Sequence, residues 1–308
     1  MLDVTHARRF PVYLLVFLAP AVIVYSVFMI YPLVDSLRLS LFTAAPVGKG
    51  EVFAGFANFH RLLGDSTWAP RFWGALRNNV VFFCVHMLVQ NPVGLLIASL
   101  LVGNIRGSRI YRALLFMPTV LSVVIIGFVW QLILSPLWGV TPAIMKAVGL
   151  GKLFQPWLGL PKYALVTVGL ISVWQFVGIP MILFYTALIG IPVELLEAAR
   201  VDGSSRLQVF WRIKFPLLLP MVGIVAVLTF VGNFNAFDLI YTMKGALAGP
   251  EFSTDIMGTL FYRTFFGQQL QLGNPTMGAT VAAMMFLIIL AGVLIYSLWQ
   301  RRIQTYQM

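Results

Sequence analysis

Long apolar runs separated by short polar segments set the plan of this chain. Crossing the hydrocarbon core of a bilayer takes about 20 helical residues. Six runs reach that length, near Phe10–Val34, Leu76–Val102, Arg112–Leu134, Tyr163–Ile189, Leu217–Ile240 and Thr276–Gln300. The pattern predicts an all-α polytopic membrane protein of six spans, a single transmembrane domain over 1–308 with its core at 72–302. The second run carries Asn78, Asn79, His86, Gln90, Asn91 and Pro92, so part of its girth faces protein or a cavity rather than lipid. The first run, 10–34, follows Arg8 and Arg9. It is much longer than the roughly 7–15 residues of a signal-peptide apolar region, and is expected to stay as a span.

Composition agrees with this plan. Apolar residues make up 60% of the 308 and charged ones 10%, against about 25% charged in a soluble domain. Mean hydropathy is +0.90. Soluble enzyme classes are excluded at this step. Cys84 is the single cysteine, so no intrachain disulfide forms. His6, His60 and His86 show no metal-ligand spacing. The net charge of +11 reads as topology rather than nucleic-acid binding. Residues 1–10, 103–112, 191–215 and 301–308, 53 in all, hold 11 of the 21 Lys and Arg. The positive-inside rule then puts those pieces, and both termini, in the cytoplasm.

Two loops are not featureless. Residues 55–73 carry Phe56, Phe59, Trp68, Phe72 and Trp73, which suit either an aromatic belt at the headgroups or a docking surface for an external partner. Residues 191–216 read as helix, turn, helix. Pro192 suits a helix start, and Glu194 and Glu197 suit its N-terminal end. Asp202-Gly203 stops the helix, with Gly203 free to turn left-handed. Ser205 with Gln208 fits a capping box for a second short helix. Exposed Ala198-Ala199 between Glu197 and Arg200 would let another surface approach closely. The plainer alternative is an amphipathic cytoplasmic connector.

Glu197-Ala198-Ala199, three residues, Gly203, nine residues, Ile213, one residue, Phe215 and Pro216 together resemble the EAA signature of ABC importer permeases. Phe215 stands where leucine is usual. Tyr31-Pro32, Gly55…Asn58, Arg112-Ala113-Leu114-Leu115-Phe116…Pro118 and Phe237-Asp238-Leu239-Ile240-Tyr241 look like the carbohydrate permeases of that family. Asn233-Phe234-Asn235-Ala236-Phe237 and Trp174…Gly178-Ile179-Pro180-Met181 are similar to the sugar-lining stretches of the maltose permease subunit. Gly232 and Ala236 depart from it by being small, which would widen the cavity or remove contacts.

The resemblance implies a binding-protein-dependent sugar importer. In that family the signature loop docks on a cytoplasmic ATPase, which assigns ATPase coupling to Glu197, Ala198, Ala199 and Gly203, with Arg200 and Asp202 flanking. Gly48-Lys49 lacks phosphate-loop spacing, so ATP and Mg are expected on a separate subunit and no cofactor on this chain. The implied partners are a second, different permease, two ATPase subunits, an extracytoplasmic solute-binding protein, lipid and the sugar. The implied location is the inner membrane of a bacterium or archaeon. A sugar needs hydrogen-bonding amides beside apolar faces, which nominates Trp174, Gln175, Gly178, Met181, Thr229, Asn233 and Asn235 as pathway residues. The alternative for the amides is holding helices together. An ion-coupled secondary transporter would carry acidic residues within its spans, whereas here they fall almost wholly outside, with Asp238 near an end. No carboxylate or His motif of an intramembrane enzyme is present.

Overall fold

The computed structural model describes residues 12–44, 50–103, 105–268 and 271–304. Phe10, the Arg8-Arg9 pair and the Gly48-Lys49 step lie outside them. Among the described residues the regular structure is helical apart from one hairpin and a single bridge between Gln268 and Gln271. Helix α1 (Val16–Leu39) leads to strands β1 (Phe42–Ala44) and β2 (Glu51–Phe53), paired antiparallel with Phe42 opposite Phe53. Then come α2 (Ala57–Gly64), α3 (Ala69–Leu101), α4 (Ser108–Val120), α5 (Val123–Ile133) and α6 (Val140–Ala147). Next are α7 (Pro161–Phe176), α8 (Gly178–Ile189) and α9 (Val193–Val201). The last four are α10 (Arg206–Phe234), α11 (Phe237–Lys244), α12 (Met257–Phe266) and α13 (Pro275–Gln304).

Four of these helices are long and apolar enough to cross a membrane singly: α1, α3, α10 and α13. The other two expected spans are bent pairs. Between α4 and α5 the axis turns by 93°, and between α7 and α8 by 45°. At the first break Leu121 and Ser122 are extended (ψ 147° and 129°). The carbonyl of Leu121 left over there accepts from Gln175 Nε2 at 3.2 Å, so the bend does not bury an unpaired group. At the second break Pro180 has no N–H to give to the preceding turn. The expectation of an unbroken third and fourth span is corrected accordingly. The fifth also differs: α10 starts at Arg206, inside the loop, and ends at Phe234, with α11 as a separate short helix.

Proline leaves a second mark. Wide π-turns occupy Ser26–Ile30, His86–Gln90 and Phe210–Lys214. Each ends two residues before a proline: Pro32, Pro92 and Pro216. A wider turn relieves the clash of the ring with the carbonyl one turn back and absorbs the missing donor.

Outward faces are apolar, as bilayer solvent requires. In α1 none of the apolar window is buried, and the helix leans on α13 through its Tyr31–Leu39 part. The interior forms three clusters. One joins Phe82, Ile126, Val168 and Ile240; another Leu62, Phe72, Met257 and Val281; the third Ala98, Met181, Phe184 and Leu218. Of the aromatics in 55–73, Phe72 is therefore core, while Phe56 and Trp73 stay exposed. Asn58 is buried and ties α2 to the hairpin, donating to the carbonyls of Ser40 at 3.0 Å and Phe42 at 2.7 Å.

Candidate functional site

The 191–216 loop folds as its residues suggest. Pro192 is the N-cap of α9, Glu194 sits in the first turn and Arg200 in the last, each favourable to the helix dipole. Gly203 ends the helix with φ +74°, and the N–H of Ser204 returns to the carbonyl of Ala199 at 2.9 Å. Ser205 Oγ accepts from the N–H of Gln208, whose Oε1 accepts from the N–H of Ser205. That reciprocal pair starts α10. One expectation needs correction: Ala199 is buried, and only Ala198 of the two alanines faces outward with Glu197. Ala199 turns inward between the exposed Ala198 and Arg200. Sequence reading missed that Leu195, Val201 and Leu207 are also exposed there. These apolar side chains lie along the chain beside the exposed Glu194, Glu197 and Arg200.

The second feature is a cavity of about 380 Å³ between α3, α7, α8 and α10, bordered also by the first turns of α5 and α11. Its apolar walls include Phe82, Phe176, Leu183 and Leu228, and its polar lining is His86, Gln90, Ser172, Thr229, Asn233, Asn235 and Asp238. Thr229 Oγ1 is held by the carbonyl of Val225 and by Asn91. Asn233 is buried: its Nδ2 donates to the carbonyl of Asn79 at 3.0 Å, and Asn79 Nδ2 returns to the carbonyl of Asn233 at 3.3 Å. The π-turn of α3 brings His86 and Gln90 to the same cavity. His86 Nδ1 lies 2.8 Å from the Phe82 carbonyl and Nε2 lies 3.0 Å from Ser172 Oγ. A carbonyl only accepts, so Nδ1 carries a proton, and in the neutral ring Nε2 accepts from the serine.

Of the seven expected pathway residues, the structure brings Thr229, Asn233 and Asn235 to this cavity. The other four have different surroundings. Gln175 is fully buried and joins α7 to the α4–α5 break. Met181 is fully buried in the third cluster. Gly178 lies where α8 crosses α4, with a Cβ position only 2.8 Å from Phe116 Cα. Trp174 is half exposed and meets Trp130 edge-on. Tight helix crossing at the two breaks decides these placements, which a straight-span reading does not contain. His86, Gln90 and Ser172 were not nominated, although the polar stripe of α3 already marked one face.

A buried ion pair ties the segment before α12 to that helix. Arg263 Nη2 meets Asp255 Oδ2 at 2.6 Å, Nη1 donates to the Ala246 carbonyl, and the guanidinium lies over Phe252. Burial raises the Asp255 carboxyl above its ordinary value, while Arg263 opposes that shift. The pair borders a second cavity of about 480 Å³, where Arg71 bonds Gln271 at 3.0 Å.

Comparison with known proteins bears on both features. The family model described as "Binding-protein-dependent transport system inner membrane component" matches residues 90–305, which include α9 and all of the cavity lining except Phe82 and His86. A probable ABC transporter permease protein of Bacillus subtilis, YurN, is 32% identical over 267 residues, covering 86% of this chain and 89% of that protein. The lactose transport system permease protein LacF of Rhizobium radiobacter is 32% identical over 253 residues, covering 81% and 82%. Among solved structures, a bacterial ABC transporter that imports the acidic polysaccharide alginate contains a chain of the same fold. The TM-score is 0.75 at 21% identity, covering 94% of this chain and 95% of that one.

Proposed function

Because the chain belongs to the family of binding-protein-dependent inner membrane transport components, it is the multi-pass permease subunit of an ABC importer, and we propose that it forms half of a pathway for a sugar. It works with a solute-binding protein and with ATPase subunits, and ATP hydrolysis is not its own activity. The finer assignments are our reading: a second, different permease as partner, ATP and Mg held on two ATPase subunits, and both termini in the cytoplasm.

In this reading the turn of α9 docks in the ATPase. Glu197 and Arg200 orient the contact, Ala198 allows close approach, and Leu195, Val201 and Leu207 supply apolar surface. Closure of the ATPase pair moves the docked helix, and α10, which continues from the same loop, carries that motion to the cavity wall. This is a two-state rigid-body switch. The sugar reading rests on the cavity: Thr229, Asn233 and Asn235 offer hydrogen bonds beside Phe82, Phe176 and Leu228, the mixture a sugar's hydroxyls and C–H faces require. The relatives' named substrate, lactose for one of them, supports it.

The test is uptake into proteoliposomes holding this chain with its second permease, ATPase and binding protein. ATP-dependent accumulation of at least one neutral mono- or oligosaccharide is expected; none across a broad panel overturns the sugar reading. Orientation is tested in a Cys84→Ser background with single cysteines at Ser205 and Gly64. Labelling of Ser205→Cys from the cytoplasmic side alone, and of Gly64→Cys from the outside alone, is expected. Reversed labelling overturns both the orientation and the docking role of α9.

A further inference from the structure

The cavity distinguishes between two kinds of solute that a sugar reading leaves together. Sugars cross membranes as neutral polyols or as anions carrying phosphate or carboxylate groups. An anion leaving water for a cavity of this size needs cations or several aimed donors to replace its hydration. Among the described residues, no Lys or Arg lines this one. Its charged residue is Asp238, in the first turn of α11. Two of the neighbouring acceptors lack partners. Asn233 Oδ1 and Gln90 Oε1 are both buried without any partner, although each residue is more than nine-tenths buried and lines the cavity. The orientation of the Asn233 amide is fixed, because turning it over would set its oxygen against the Asn79 carbonyl. Buried acceptors lacking donors are costly, and these two add negative partial charge to the wall without a cation to offset it. A phosphate or carboxylate adds more acceptors and a like charge beside Asp238.

We infer that this wall of the pathway selects neutral, hydroxyl-donating solutes and rejects sugar phosphates and uronates, with Asp238 as the residue that sets the sign of its field. The inference rests on the sugar-pathway reading above and names the class within it. Specificity of this kind is repulsive as well as attractive. Asp238, with the unpaired oxygens of Gln90 and Asn233 behind the same wall, supplies the repulsion.

The field of the cavity is measurable without knowing the cargo. In the assembled transporter with Cys84→Ser, single cysteines are placed at Asn235 or, as a second position, at Gly232; both residues are exposed and border the cavity. Their reaction rates with a cationic and an anionic methanethiosulfonate are compared with those at Gly64→Cys, exposed and outside it. The expected cation-to-anion rate ratio is on the order of tenfold above the Gly64 control, the size expected of one uncompensated charge near a low-dielectric wall. Adding Asp238→Asn is expected to bring it back to the control. A ratio at or below the control overturns the inference and means that cations of the second permease dominate. So does the absence of reaction at both positions in both the nucleotide-free and ATP-bound states, since a cargo path must open in one of them. Failure to import any neutral saccharide, with the rate ratio intact, counts against the sugar reading instead.

Discussion

Asn79 and Asn233 each donate a side-chain amide hydrogen to the other's backbone carbonyl, at 3.3 and 3.0 Å, and so clamp α3 to the C-terminal end of α10. Asn79 Oδ1 further accepts from the N–H of Met257 at 2.8 Å, which adds α12 to the clamp. The residue nominated for cargo contact is thus also a helix tie. Its Nδ2 belongs to the tie and its Oδ1 is left buried without a partner.

The clamp predicts a split between two alanine variants. Asn79→Ala leaves the buried N–H of Met257 without its acceptor and is expected to cost about 1–3 kcal/mol in detergent unfolding, and Asn233→Ala removes one tie to the Asn79 carbonyl at about 0.5–1.5 kcal/mol. The double variant should cost less than the sum, because both remove parts of one network. Asn79 does not line the cavity, so transport by surviving Asn79→Ala protein keeps its solute preference. Asn233→Ala is expected to change that preference while basal ATPase activity persists. Identical preferences in the two variants would limit Asn233 to the tie.

Gly203 offers a cleaner probe of docking. Its φ of +74° is costly for a β-branched residue, by roughly 1–2 kcal/mol, yet no atom lies within 4 Å of where a Cβ would sit. Gly203→Val therefore strains the turn without a clash. Reduced ATPase co-purification and reduced uptake are expected, with the melting of the transmembrane bundle little changed. Undiminished docking and uptake would mean that the turn does not position α9.

Gly178 predicts the opposite balance. A methyl group there meets Phe116 Cα at 2.8 Å and the Leu115 carbonyl at 2.9 Å, backbone atoms that cannot rotate away. Gly178→Ala should destabilise by about 1–3 kcal/mol through overpacking, while Gly64→Ala, with open space around it, should be near neutral. Thermal unfolding of the purified chain with its partners reads both.

The Asp255–Arg263 pair carries a pH signature. The folded carboxyl lies above its unfolded value of 3.8. Its contribution to stability is therefore full below that value and is lost as pH rises through the folded value. Arg263 limits that loss. Arg263→Gln is expected to enlarge it and to move its window upward, with a cost at neutral pH of about 3–5 kcal/mol for an unpaired buried charge. Arg263→Gln with Asp255→Asn should recover part of the stability. Melting curves between about pH 4 and pH 8 test this, and a flat profile for the single variant would contradict it.

Much of this protein was readable along the chain because the bilayer imposes a one-dimensional rule. A span must be long, apolar and internally hydrogen-bonded, so six runs stand out without any knowledge of packing. The 191–216 loop was equally legible, because its caps and turn depend on near neighbours: Pro192, Gly203, Ser205 and Gln208 act within a few residues of themselves. The polar stripe on α3 announced a buried face for the same reason, through helical spacing. What faces that stripe was not legible. The 93° and 45° breaks, the crossing at Gly178 and the seclusion of Gln175 and Met181 arise where helices distant in sequence meet, and no local preference encodes such a meeting. The cavity is likewise a remainder, the space left when α3, α7, α8 and α10 have packed. Residue chemistry named amides and hydroxyls as its lining. Only the tertiary structure decided that His86, Gln90 and Ser172 belong to it, and that Asn233 turns one side of its amide to a neighbouring helix.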